Sequence, residues 1–316
     1  MAAHGAVGAL SPRSDASLRE GPSRRLRPNR RMQRNTVAAV GMLAPTMAML
    51  LLLRILPGLN AVWDSMHKSS LLAGTTRFVG LGNFDFLLHS EGFYRTLGVT
   101  LLFALLINPI QILLALGLAV LLNERLPGQG IWRTVVFLPI AVPAAASAVI
   151  WGVAMRPDGP INAMLGFIGL PPQPFLTSPA QALPSIIVVL TWIGVGYWMI
   201  FLIAGLNDIP QDYYEAARLD GASKWQRFWH VTLPGLRRPL AFVLVADTVA
   251  NFTVFAPVQI LTNGGPQGST NLLIYDTFQR AFVVGDANVA AAEVLVLLLV
   301  MLGIVILQFR LLGREG

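Results

Sequence analysis

Side chains that commonly carry out covalent or metal chemistry are few and scattered in this sequence. Cysteine is absent, which excludes disulfides, thiolate metal sites and cysteine nucleophiles. The four histidines stand far apart, without the short spacings of zinc or iron ligands. Neither Lys68 nor Lys224 follows a glycine, so the sequence has no glycine-rich phosphate loop ending in Gly-Lys. We therefore expect no catalytic residue, no metal site and no cofactor in this chain, and any ATP it uses must be hydrolysed by another chain.

The composition points away from a soluble protein. Of the 316 residues, 54% are hydrophobic and 12% charged, whereas about a quarter of the residues in a soluble domain are charged. A typical soluble enzyme and a disordered protein are both excluded. The net charge of +7 would suit nucleic acid only if the basic residues gathered on a folded, soluble surface. They lie between long apolar runs, so we expect no nucleic-acid partner.

Apolar runs of the length needed to cross a bilayer recur along the chain. A hydrocarbon core about 30 Å thick requires about 20 mostly apolar residues per helix. We predict an all-α membrane protein with six core transmembrane helices in one domain over residues 37–312. The six predicted spans are residues 37–59, 97–122, 133–156, 184–206, 239–261 and 287–309.

The basic residues predict which side each segment faces. Residues 1–36 hold eight arginines but no apolar core before a cleavage site, so they are not a cleaved signal peptide, and we predict a disordered cytoplasmic tail. With this tail inside, 17 Lys and Arg fall in cytoplasmic segments and six in outer ones, as the positive-inside rule requires. Both termini, including residues 313–316, are then cytoplasmic. The excess of arginine over lysine, 21 to 2, favours a bacterial inner membrane.

Residues 207–238, after the fourth span, carry the signals of a short helix. Asp212 with Glu215 three residues later matches a capping box, so the helix is predicted to begin there. Gly221 is predicted to end it, because glycine adopts the left-handed conformation of a helix C-terminus without steric cost.

A second helix is predicted directly after this turn. Ser223 with Gln226 matches another capping box. Pro234 and Pro239 lack the backbone N–H that a helix interior needs, so we predict that they stop this helix and return the chain to the bilayer. A DNA-binding role for this helix pair is rejected, because spans tether both ends and the loop carries four acids.

The run EAARLDGASKWQRFWHVTLP in this loop resembles the EAA loop of permease subunits of binding-protein-dependent ABC importers. The matching residues at the family's spacing are Glu215, Ala216, Ala217, Gly221, Leu233 and Pro234. The resemblance implies a coupling helix that sits in a groove of a cytosolic ATPase, and partner ATPase chains that bind the ATP and Mg²⁺. Glu215 and Asp220 could pair with basic residues across such an interface. Taken singly, Glu215 has an alternative reading as a capping residue and Gly221 as a turn residue.

A second segment, LTNGGPQGSTNLLIYDTFQRAF at residues 261–282, is similar to the segment after the fifth span in carbohydrate permeases of the same superfamily. The resemblance extends over residues 37–312 and implies the type I importer permease fold. It implies transport of a sugar or sugar derivative of the oligosaccharide, glycoside or polyol phosphate class. The implied partners are a second homologous permease, two cytosolic ABC ATPases, an extracytoplasmic solute-binding protein and membrane lipid.

Polar residues inside the fifth predicted span suggest a substrate pathway. Asp247, Asn251, Phe255 and Gln259 follow one another at intervals of four, so a continuous helix would place them on one face. Their side chains could bind sugar hydroxyls and stack on a pyranose ring. The alternative is that the polar residues only join helices by hydrogen bonds.

Other residues within or beside the predicted spans leave further alternatives open. Trp192, Tyr197 and Trp198 could stack on a sugar or could fill packing gaps. Glu293 could mark an unusual substrate, pair with Arg280 or lie at the outer headgroup level. An ion-coupled secondary transporter, with Asp247 or Glu293 carrying the coupling ion, is the main rival function, although it leaves the EAA-like loop unexplained.

Overall fold

The computed structural model describes residues 30–70, 75–124 and 127–312. Most of the predicted tail and the C-terminal end at 313–316 lie outside these residues. The chain divides into two compact units, residues 1–57 and 58–316. Each is described by itself.

In the described part of the first unit, helix α1 (Arg30–Leu50) continues through a π-helical turn (Leu51–Ile55) into the start of helix α2 (Leu56–Ser65). Residues 40–65 are long and apolar enough to span a membrane. Residues 30–36 were predicted to be disordered, and they are helical instead. They contain arginine, methionine and glutamine, which favour helices, and no glycine or proline.

Three long helices carry most of the second unit. They are α4 (Glu91–Asn123), α8 (Pro179–Asn207) and α15 (Ala287–Leu312). Helices α4 and α8 pack along one another. Phe103 and Ile107 of α4 pack against Ile186 of α8 in one buried cluster. Further along the same two helices, Ala115 packs with Met199 in a second buried cluster. Small buried residues such as alanine allow such close contact between helices in a membrane.

The third predicted span is present but bent. Helix α5 (Gln129–Phe137) runs into a 3₁₀ turn (Leu138–Ala141), and α6 (Ala144–Ala154) follows at an angle of 98°. The apolar run over residues 133–156 did not indicate this bend. Pro143 supplies no N–H and biases the preceding residue towards extended backbone, which Val142 adopts.

The fifth predicted span, 239–261, is broken in the same way. Helix α12 (Arg237–Phe252) ends before α13 (Ala256–Leu261) begins. The Thr253 hydroxyl bonds the carbonyls of Val249 and Ala250 at 3.1 and 3.0 Å, and Pro257 lies at the start of α13. Local hydroxyl bonds and proline both compete with a continuous helix.

Within the described residues, four helices are long and apolar enough to cross a membrane, and the number is five if the bent α5–α6 pair counts as one span. The prediction of an all-helical membrane protein is confirmed, but the count of six core spans is not. A small antiparallel hairpin, β1 (His67–Ser70) with β2 (Thr75–Phe78), is an addition that the sequence did not predict. Its Ser69 N–H donates to the Asn288 side chain on α15 at 2.8 Å.

The remaining elements are short helices that connect or cap the long ones. They are α3 (Gly82–Leu88), α7 (Pro160–Phe167), α9 (Gln211–Leu219), α10 (Lys224–Arg227), a π-helical segment (Phe228–Thr232), α11 (Leu233–Gly235), α14 (Leu273–Phe278) and a second π-helical segment (Gln279–Val284).

Candidate functional site

The loop between α8 and α12 contains a short exposed helix, α9. It begins at Gln211 after Pro210, whose side chain makes no capping hydrogen bond. The predicted capping box of Asp212 with Glu215 was therefore wrong, because Pro210 starts the helix two residues earlier. Asp212 instead lies in the first turn, where a carboxylate interacts favourably with the positive end of the helix dipole.

The end of α9 follows the sequence prediction. Gly221 has φ of +76°, the left-handed conformation. Its N–H donates to the Arg218 carbonyl at 3.0 Å, and the Ala222 N–H donates to the Ala217 carbonyl at 2.9 Å. These bonds satisfy carbonyl oxygens at the end of the helix that have no partner within it. The predicted capping box at Ser223 and Gln226 is also confirmed, with bonds of 3.3 and 2.8 Å.

The helix after the turn is not stopped at Pro234, contrary to prediction. Helix α10, the π-helical segment and α11 form one helical run that nearly reaches α12. Pro234 directly follows the π-helical segment, near the end of this run. Pro239 lies in the first turn of α12, where a proline has no intrahelical N–H bond to lose.

Close contacts fasten this loop to the long helices. A Cβ atom at Gly205 on α8 would lie 2.5 Å from the Pro239 ring, and one at Gly235 would lie 2.7 Å from Ile209. The Tyr214 hydroxyl lies 3.0 Å from that of Thr232. Tyr214 therefore joins α9 to the helical run that leads into α12, and the contact of Gly205 with Pro239 packs α12 against α8.

The predicted coupling residues lie on and beside α9. Glu215, Ala216 and Asp220 are exposed, and Ala217 is half-buried. A cleft of about 890 Å³ separates this helix from the ends of α8 and α12. Its lining includes Ala216, Ala217, Asp220, Pro234, Phe201 and Phe242. Leu233 is half-buried in the core beneath the loop.

Asn251 is the centre of a buried polar cluster inside the bundle. Its amide donates to Asn108 Oδ1 at 2.8 Å and to Gln111 Oε1 at 3.0 Å on α4. Thr248 accepts from Asn108 at 3.1 Å and from Gln308 on α15 at 2.8 Å. The cluster thus joins α4, α12 and α15 by side-chain hydrogen bonds, as polar residues in membrane helices often do.

Asp247 lies at the edge of this cluster and is only 1% exposed. Its carboxyl group interacts with the side chains of Trp198 and Asn251. One carboxyl oxygen has no hydrogen-bond partner among the described residues. Asp247 and Asn251 were identified from the sequence, but the partner of Asp247 on α8 and the partners of Asn251 on α4 were not.

The predicted stripe from Asp247 to Gln259 does not form one face. The break after Phe252 turns Phe255 away to pack against Phe278, with ring centres 4.7 Å apart, and against Tyr275 at 6.2 Å. Gln259 is half-buried on α13. Burial raises the pKa of the Tyr275 phenol, which stays protonated and donates to Asn263 Oδ1 at 2.6 Å.

The aromatic rings of α8 are partly open to the surroundings. A line of rings joins Tyr197, Trp198 and Phe201 to Phe242, whereas Trp192 contacts Trp151 on α6. Trp192 is 39% exposed and Tyr197 38% exposed. Tyr197 contacts Trp198 and Phe201, with ring centres 4.9 and 5.0 Å apart, and Phe201 contacts Phe242 at 5.5 Å. The line extends from the middle of α8 to the cleft beside α9.

Glu293 is fully buried near the start of α15. Arg280 Nε lies 3.1 Å from its carboxylate and 2.7 Å from that of Asp276. The pairing with Arg280 suggested by the sequence is confirmed. Across the described ranges, no group of three or more histidine, aspartate and glutamate residues is arranged to hold a metal ion.

These features define an all-helical, multi-pass membrane protein with an exposed helical loop fastened to its long helices. Residues 111–314 match the family described as "Binding-protein-dependent transport system inner membrane component". The chain therefore belongs to this family of importer permease subunits, and it is a multi-pass protein of the inner membrane.

Individual relatives agree with this assignment. The chain is 33% identical over 274 residues to the trehalose/maltose transport system permease protein MalF of Thermococcus litoralis, covering 86% of this chain and 92% of that protein. It is 30% identical over 283 residues to the sn-glycerol-3-phosphate transport system permease protein UgpA of Agrobacterium fabrum, covering 89% and 96%.

A solved structure gives the same result. A chain of a bacterial ABC transporter involved in the import of the acidic polysaccharide alginate superposes with a TM-score of 0.76 at 26% identity, covering 91% of this chain and 98% of that one. The rival interpretation as an ion-coupled secondary transporter has no support from these matches.

Proposed function

We propose that this chain forms one half of the translocation pore of an ATP-driven importer for a sugar or sugar derivative, together with a second homologous permease. The observation that carries the proposal is α9, a short exposed helix closed by Gly221 and fastened to two long helices. The names of the relatives, which refer to trehalose, maltose and glycerol phosphate, support the substrate class of oligosaccharides, glycosides and polyol phosphates.

Two cytosolic ATPase chains would bind ATP and Mg²⁺ and dock on the coupling loops. In this chain the docking residues are Glu215, Ala216, Ala217, Asp220, Gly221, Leu233 and Pro234. The exposed carboxylates of Glu215 and Asp220 suit basic residues across an interface, and the alanines allow close approach. Contacts of Gly205 with Pro239 and of Tyr214 with Thr232 would transmit a displacement of α9 to α8 and α12.

The substrate pathway is proposed along α8 and α12. The partly exposed rings of Trp192 and Tyr197 offer faces on which a pyranose ring can stack. Asp247, which interacts with Trp198, and Asn251 are buried in this conformation, so they would meet substrate only when α12 separates from α4. An extracytoplasmic binding protein would deliver the substrate to the outer side, with both termini of this chain in the cytoplasm.

The deciding experiment is purification of the tagged chain from native membranes in mild detergent, with identification of its partners and assay of ATP hydrolysis. We expect an ATPase, a second permease and sugar-stimulated hydrolysis. In the Gly221→Pro variant we expect normal insertion but hydrolysis uncoupled from uptake, because proline cannot adopt a positive φ. Recovery of the chain alone, or full coupling in that variant, would contradict the proposal.

A further inference from the structure

A cluster of exposed aromatic rings lies directly after the turn at Gly221. Trp225 is 68% exposed and Trp229 is 47% exposed. Their ring centres are 5.7 Å apart, and Phe228 lies 5.8 Å from the first and 5.5 Å from the second. Phe228 also packs against the core beneath the loop, so the cluster is anchored on its inner side and open on its outer side.

An exposed ion pair shows where the cluster lies relative to the spans. Lys224 Nζ lies 3.2 Å from Glu124 Oε1, and Glu124 directly follows the last residue of the spanning helix α4. The aromatic cluster therefore lies beside the end of a span. At the same end of the bundle, near the start of α5, Ile131 is 70% exposed and Trp132 is 55% exposed, so further apolar side chains are open there.

The charges around the cluster differ from those on α9. Residues 224–238 contain four Lys and Arg and no acid. Helix α9 and its cap instead expose the carboxylates of Asp212, Glu215 and Asp220. An acidic face suits a basic protein partner, whereas a basic, tryptophan-rich segment at the end of a span suits an anionic lipid surface.

We propose that the aromatic cluster of Trp225, Phe228 and Trp229 is a phospholipid-binding site that anchors the coupling loop to the bilayer. Trp225 and Trp229 lie at the level of the headgroups, where their amphipathic rings are favoured. The surplus of positive charge in residues 224–238 attracts anionic lipid headgroups to the cluster. The membrane then holds the loop on one side of Gly221 while α9 remains free for its protein partner on the other.

The absence of cysteine allows a direct test. Trp229→Cys is labelled with an environment-sensitive fluorophore in the complete transporter, reconstituted in vesicles containing phosphatidylglycerol and spin-labelled lipid. We expect the spin-labelled lipid to lower the emission by about twofold, since tryptophan sites at the interface contact lipid. The control label at Leu219→Cys, a position that is 89% exposed on α9, should remain unquenched.

Two results would overturn the proposal. Equal, weak quenching at both positions would mean that the cluster does not contact lipid. Emission at position 229 that responds to removal of the ATPase subunits, and not to spin-labelled lipid, would assign the cluster to the ATPase interface.

A functional measurement covers the case in which labelling perturbs the loop. ATP-driven uptake is compared in vesicles of phosphatidylglycerol and of phosphatidylcholine. We expect uptake of the unmodified transporter to be about threefold faster in the anionic vesicles, as an electrostatic contribution of about 1 kcal/mol per cation allows. The double change Trp225→Ala with Trp229→Ala should abolish this preference, and Trp225→Tyr with Trp229→Tyr should restore it. An unchanged lipid preference in the alanine variant would refute the anchor.

Discussion

The hydroxyl of Tyr214 on α9 lies 3.0 Å from the hydroxyl of Thr232 in the π-helical segment. This hydrogen bond crosses the turn at Gly221 and connects the helix that is proposed to receive the ATPase with the helical run that leads into α12. Since Thr232 is buried, the bond gives α9 a fixed contact with the core.

Tyr214→Phe tests this connection. Removal of one neutral hydrogen bond costs about 1 kcal/mol, so we expect the protein to insert and hydrolyse ATP while the amount of sugar imported per ATP falls. The measurement is parallel uptake and hydrolysis in proteoliposomes. Tyr94→Phe, at an exposed position on α4, is the control. An unchanged import ratio would show that the bond plays no part in coupling.

Gly221→Ala tests the left-handed turn. A non-glycine residue with positive φ costs about 1 to 2 kcal/mol, and we expect a lower import ratio per ATP. Gly268 has almost the same φ, +75°, and neither glycine has an atom within 4 Å of the position of an added Cβ. Gly268→Ala therefore imposes the same backbone strain elsewhere. If sugar import per ATP falls equally in both variants, the fall is caused by backbone strain in general and not by the turn at Gly221.

Tyr197→Leu tests the proposed pathway along α8. Loss of a stacking surface should raise the sugar concentration needed for half-maximal uptake about tenfold, equivalent to about 1.4 kcal/mol. Phe167→Leu, a change at a ring that is 89% exposed on α7, is the control. If the uptake kinetics match those of the unchanged chain, Tyr197 contributes only to packing and does not line the pathway.

Arg280→Met tests the buried ionic cluster. Removal of the cation leaves the carboxylates of Glu293 and Asp276 without their shared partner, and breaking a buried ion pair typically costs about 3 to 5 kcal/mol. We expect a clear fall in the Tm measured in detergent. The double variant Arg280→Met with Glu293→Gln should regain part of the loss, because it removes one unpaired charge. A double variant less stable than the single one would contradict this pairing.

The features that the sequence predicted correctly depend on residues close to one another in the chain. The long apolar runs identified four spanning helices and the two halves of the bent one. Gly221 and the Ser223–Gln226 box were correct because a helix end is decided within a few residues. The predicted capping box at Asp212 was wrong although it too is a local signal, because the helix begins directly after Pro210 instead.

Only the tertiary structure decided which polar residues meet. Asn251 bonds Asn108, which lies 143 positions away in the sequence. The sequence showed Asn108 only as a polar residue beside Pro109 within an apolar run. The break after Phe252 separated Phe255 from Asp247, although successive intervals of four residues had predicted that they share one helix face. Hydropathy and spacing therefore determined that this chain crosses the membrane as helices with an exposed loop. Packing between distant helices determined where those helices bend and which side chains they join, because hydrogen bonds and close contacts across the bundle leave no periodic trace in the sequence.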